Sequence, residues 1–282
     1  MLNKVILLCI SFLMLVSGCV STQRVYVFSK IAFAGLNTSD DIKYSFSDYC
    51  LQSATLLNYK KVNDNKPIDL FNKPNCAEYV RIDSAKNALF TVVSAYFEAL
   101  QQLSDDKTIR FNLDGITRYL KKGSYLHIDI TDENVKSVNT IAASLLSATV
   151  GAWRNNKIKK FIASSDAALY NVISKLEDMY RLLSVSIENQ KGDVLDVYTN
   201  YMKDTSNKYL QMQSIKDYSG QIAGFDKMEQ QIRIYIATME RIKKGHAEIT
   251  RKINTVSKKE WQKLVMDQSS EIFTLIKTFN AL

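Results

Sequence analysis

Residues 169–201 read LYNVISKLEDMYRLLSVSIENQKGDVLDVYTNY. Within them Leu169, Ile173, Leu176, Tyr180, Leu183, Ile187, Gln190, Val194, Val197 and Tyr201 follow one another at alternating steps of four and three. That spacing puts them on one face of an α-helix and predicts a coiled-coil type seam, apolar except at Gln190. A second run places Phe225, Ile232, Met239, His246 and Ile253 at one heptad position, and Met228, Tyr235, Ile242, Ile249 and Val256 at the other. At 1.5 Å per residue each helix would reach about 50 Å. The polar stretch 204–220 is expected to hold a turn, making the pair an antiparallel hairpin. Gly220 and Gly224 beside it read as helix punctuation. Lys191 and Lys243 are expected on the outer faces, where charge reversal costs little. Ser257 with Glu260 starts a further helix, and Trp261, Val265, Gln268, Ile272, Leu275 and Phe279 continue the same spacing.

Working towards the N-terminus, Thr131-Asp132-Glu133 offers a cap and first-turn acids for a helix through Val138 to Trp153. Its uncharged stretch is too short and too rich in Ser, Thr and Ala to span a membrane, so a buried central helix is expected. Leu126, Ile128 and Ile130 alternate as in a short strand, with Val25-Tyr26-Val27-Phe28 as its expected partner. A short amphipathic helix is expected near Leu113 to Lys121. Asn75 and Glu78 have capping-box spacing for a long helix to about Leu103, with Leu89, Val93, Tyr96, Leu100 and Leu103 facing inward. Both prolines fall in a loop from Lys60 to Asn75, preceded by a helix from Asp40 to Leu57 that carries Cys50. The class is therefore mainly α: an elongated bundle with long coiled-coil-like helices and room for one short β pair.

The chain opens with Lys4 and an apolar stretch from Val5 to Val16, then reaches Val16-Ser17-Gly18-Cys19. A positive end, about a dozen apolar residues and small residues before a cysteine resemble the signal and lipobox of exported bacterial lipoproteins. The apolar stretch falls short of the roughly 20 residues a spanning helix needs. The resemblance covers residues 1–19 only and implies cleavage after Gly18, a diacylglycerol thioether on Cys19 and acylation of its new amino group. Several acyl chains would hold the protein firmly, where one is marginal. Valine at position 20, where an aspartate resembles an inner-membrane retention signal, favours the outer membrane. The body would lie in the periplasm or at the cell surface.

Four parts follow: 1–18, a removed signal peptide; 19–37, a lipidated tether; 38–130, a stapled helical part; and 131–282, the long-helix bundle. With Cys9 lost and Cys19 lipidated, Cys50 and Cys76 remain as an even pair in an oxidising compartment, and a disulfide is expected. Two free thiols or metal ligands are the rival reading. Of the formal net charge of +8, Lys4 leaves with the signal. The remaining excess suits anionic head groups or acidic polymers, and equally suits simple solubility.

No phosphate-binding glycine loop, HExxH pair, GxSxG elbow or calcium loop occurs. His127 and His246 are the only imidazoles. His127, two residues from Asp129 in an alternating segment, would share a strand face with it, which reads foremost as a solvated polar face. His246 occupies a core position of the seam, where a tolerated, partly exposed histidine competes with a pH-switch or register role. Neither cofactor nor metal ion is expected, and nucleic acid is an unsuitable partner for an exported chain. The leading expectation is a membrane-anchored, non-enzymatic envelope lipoprotein docking another envelope protein or an anionic envelope polymer through helical surfaces. A helical module binding a lipid, peptide or glycan fragment is the alternative, followed by an envelope hydrolase.

Overall fold

The computed structural model describes residues 23–68, 74–105, 120–148, 154–253, 255 and 257–282. The expected signal peptide, Cys19 and most of the helix expected near Leu113 lie outside these residues, as do Val256 and residues 149–153 at the end of the helix expected to run to Trp153.

The described chain is a helical bundle built on a hairpin of two helices longer than the sequence implied. We label the helices α1 (residues 23–37), α2 (Phe46–Asn63), α3 (Ala77–Ser104), α4 (Asp132–Ala148), α5 (Arg154–Asp204), α6 (Lys208–Lys252) and α7 (Lys258–Asn280). α5 and α6 run antiparallel, with Arg181 on Glu240 at 2.6 Å and Lys191 on Asp226 at 2.7 Å. The α5 seam from Leu169 to Val197 is buried, as are Phe225, Ile232, Tyr235, Met239, Ile242, His246 and Ile249 of α6. Gln190 is buried too, because the Tyr44 hydroxyl donates to its Oε1 while its Nε2 donates to Gln52 Oε1 at 3.0 Å. Those partners satisfy an amide that burial alone would penalise.

The expected turn at 204–220 contracts to residues 205–207. Asn207 caps α6, its Oδ1 accepting from Tyr209 N at 3.0 Å and Leu210 N at 3.4 Å. Gln211 Nε2 ties down the end of α5 by donating to Met202 O and Thr205 O. Gly220 and Gly224 therefore lie inside α6 rather than punctuating it. The outer positions expected for Lys191 and Lys243 are corrected as well. Lys243 Nζ sits 2.6 Å from Glu177 Oε2 with side chains 10% and 7% exposed, and Lys191 bridges Asp226 and Glu229. Charged residues flanking a two-helix seam reach across it, which covers them.

The N-terminal run is not a strand. Val25, Phe28, Ala32 and Leu36 are buried at helical spacing along α1, wedged between α3, α6 and α7. Close approach demands glycine on both sides: a Cβ on Gly35 would stand 2.8 Å from Thr238 Cγ2, and one on Gly245 would stand 2.9 Å from Phe28 Cε2. The short sheet is instead a hairpin, Gly123–Tyr125 antiparallel to Ile128–Ile130, with Tyr125 opposite Ile128. Leu126 and His127 form its turn with φ of 47° and 70°. A two-residue turn with both central φ positive matches the twist of the flanking strands.

α2 begins later than expected. A 3-10 turn (Thr38–Asp41) precedes it, Ser45 and Asp48 form its capping box, and Asp83 accepts from Phe46 N and Ser47 N. The expected Asn75–Glu78 box does not form; Cys76 occupies the N-cap of α3, and Asn75 Oδ1 accepts only from Ala77 N at 3.3 Å. The inner stripe of α3 is buried throughout, and α4 buries Val138, Ile141 and Leu145. Cys50 and Cys76 are joined sulfur to sulfur, tying α2 to the start of α3. A crosslink closing that span restricts the unfolded chain by about 3 to 4 kcal/mol.

Candidate functional site

The two histidines separate completely. His127 stands exposed in the hairpin turn, so it does not share a strand face with Asp129; the left-handed backbone there takes it out of the alternation. His246, expected to be partly exposed, is 2% exposed. Its Nδ1 lies 2.7 Å from Asp166 Oδ1 and its Nε2 lies 2.6 Å from the Tyr96 hydroxyl. When the imidazole is neutral, the carboxylate accepts from Nδ1–H and Nε2 accepts from the Tyr96 hydroxyl. Thr250 Oγ1 also donates to Asp166 at 3.1 Å.

Carboxylate, imidazole and hydroxyl in sequence is the order that activates nucleophiles in hydrolases. Here the hydroxyl is enclosed: Tyr96 is fully buried, with Phe161 stacked on it at 4.8 Å between centroids. Burial pushes the Tyr96 phenol well above its ordinary range. The relay ties α3, α5 and α6 together rather than opening to a substrate.

Asp166 gives the relay a pH signature. The hydrogen bond from His246 comes first among the causes that hold its carboxyl below the usual carboxylate range. A depressed folded-state value contributes stability that is present above the unfolded value near 3.9 and is lost as pH falls through the folded one. Thermal melts of the body at decreasing pH should therefore show His246→Ala losing less of its remaining stability below about pH 4 than the parent loses. Equal acid sensitivity would contradict the relay.

The second feature lies between the turn and the middle of the hairpin. α2, α5 and α6 surround an open cleft of about 390 Å³, with Gln190 and Val194 on its floor, Gln52, Leu56 and Tyr59 on one wall, and Gly220, Gly224, Phe225 and Met228 on the other. No described residue lining it is ionic. A Cβ at Gly220 or Gly224 would meet nothing within 4 Å. Glycine inside a helix costs about 1 kcal/mol against alanine, and no close packing within the chain calls for it at these two positions. Beyond the cleft, Tyr209 is 67%, Met212 70% and Ile215 53% exposed on the first turns of α6.

Among the described residues no group of His, Cys, Asp and Glu could hold a metal ion, and no helix is long and apolar enough to cross a membrane. No family model, curated protein or solved structure matches the chain. The cleft and the exposed turn end escape sequence reasoning because both depend on which neighbours fail to arrive.

Proposed function

We propose that the chain is a membrane-anchored, non-enzymatic envelope lipoprotein that docks another envelope component through the turn end of its long hairpin. The exposed apolar face of Tyr209, Met212 and Ile215 carries this reading. Large apolar side chains clustered in water mark interaction sites more often than accident. Their position supports it further. Phe28 of α1 packs against Gly245, and α6 runs from there to Lys208, roughly 55 Å away at helical rise. Gln23 follows Cys19 by four residue steps, a span of at most about 14 Å. An anchor on Cys19 would thus hold one end of the hairpin at the membrane and present the other end at a distance.

Met212→Glu with Ile215→Glu tests the surface. Both side chains are already in water, so the melt should move by less than about 0.5 kcal/mol equivalent, the usual range for surface changes. Recovery of partners from crosslinked, detergent-solubilised cells should fall sharply. Unchanged recovery, or recovery of the chain alone from the parent as well, would count against docking.

The uncharged cleft favours a second reading, in which the hairpin binds a small neutral ligand such as a peptide or glycan fragment there. Its volume lies within the range typical of ligand pockets. Native mass spectrometry of the body would show a retained molecule that Gly224→Leu displaces; a parent protein with nothing bound would remove this reading.

A further inference from the structure

We propose that the opposite pole of the bundle, where α1 begins, is a basic face that rests on anionic lipid head groups. The starts of α1, α5 and α7 and the ends of α3, α4 and α6 lie there. Asp166 of α5 touches His246 and Thr250 of α6, Glu248 of α6 accepts from Gln268 of α7 at 2.9 Å, and Arg24 of α1 donates to Met266 Sδ of α7 at 3.1 Å. The turns that lie further out from these contacts bring together Lys159 and Lys160 of α5, Arg251 and Lys252 of α6, and Lys259 and Lys263 of α7. Lys160, Arg251, Lys259 and Lys263 are exposed.

The nearby carboxylates reduce this charge without reversing it: Glu98 and Asp105, exposed on the last turns and at the C-cap of α3, stand at the same pole with Glu260 and Asp267, against the six basic side chains. Asp166 and Glu248 lie further in and are hydrogen-bonded, and Glu260 is engaged in capping its own helix through Ser257. Asp267 stands exposed one turn beyond Lys263. α1, α5 and α7 start at this pole while α3, α4 and α6 end at it, so the helix dipoles offset one another and the positive charge is that of the side chains.

A lipid surface fits better than a soluble polyanion for two reasons. Met266, 46% exposed, stands among the lysines as an apolar contact at head-group depth. Gln23, four residues from the cysteine read as the lipid site, begins at the same pole. The inference uses the anchored reading only to say which membrane is met. The mature chain from residue 19 carrying Cys19→Ser has no acyl group and tests the face by itself.

Co-sedimentation of that chain with phosphatidylcholine vesicles, with and without phosphatidylglycerol, gives the answer. Binding should require phosphatidylglycerol and fall as salt rises, because contacts beyond a Debye length are screened. Lys160→Gln, Lys259→Gln and Lys263→Gln together should weaken it about 100-fold, each lysine near an anionic surface contributing about a factor of five. Lys203→Gln, Lys208→Gln and Lys216→Gln at the far end should leave it unchanged, and circular dichroism should be the same for all. Equal loss in both triple variants, no dependence on phosphatidylglycerol, or binding to soluble polyphosphate without sedimentation would overturn the proposal. Failure of Cys19 processing in cells, with vesicle binding intact, would remove the anchor and leave the face standing.

Discussion

Ile242→Asp is expected to abolish cooperative melting of the body. Ile242 is fully buried in the α5–α6 seam, and its Cδ1 lies in the tight contact beneath Gly35 of α1, 3.5 Å from where a Cβ would stand. Truncation of such a side chain alone costs about 2 to 5 kcal/mol. An aspartate there also buries a carboxylate at a fully buried position beside Gly35 and Ile272, a further cost of several kcal/mol. Whole domains are stable by only about 5 to 15 kcal/mol. Leu183→Asp, at an equally buried position on α5, should behave alike. Circular dichroism melts check both. A melt unchanged by either substitution would place the seam on the wrong side of the fold.

Lys243→Glu should be the next most damaging, although the heptad pattern puts Lys243 beside the seam rather than in it. The ammonium donates to Glu177 and to Ser174 Oγ at 2.9 Å, and it lies over the Tyr170 ring at 4.8 Å. Burial raises the Glu177 carboxyl, and Lys243 offsets only part of that rise. Removing one member of a buried pair costs about 3 to 5 kcal/mol, and reversal adds repulsion. Lys243→Met with Glu177→Leu should recover most of the loss, since an apolar replacement of a buried pair is often neutral. A double variant no more stable than the reversal would mean that the pair itself is not the cause.

The seams were legible because a long period needs only local repetition: every described α5 position from Leu169 to Val197 is buried as the spacing requires. Cys50 and Cys76 could be paired by elimination. Val25 to Phe28 was not legible, since β-branched and aromatic residues favour strands and only packing against α3, α6 and α7 makes them helical. The relay at His246 escaped for a different reason. Asp166 is 80 residues away and Tyr96 is 150, so no spacing connects them. The cleft lies further still from sequence reasoning: Gly220 and Gly224 are visible, but the emptiness beside them is a property of α2 and α5.

In the proposed arrangement one end of the molecule lies at the membrane and the other at a partner. Photocrosslinking residues placed at Met212 or at Lys259 of the lipidated chain, activated in intact cells, would measure both ends together. Position 212 should yield protein adducts and position 259 lipid adducts. Lipid adducts from position 212, with protein adducts only from position 259, would contradict the orientation and the docking surface at once.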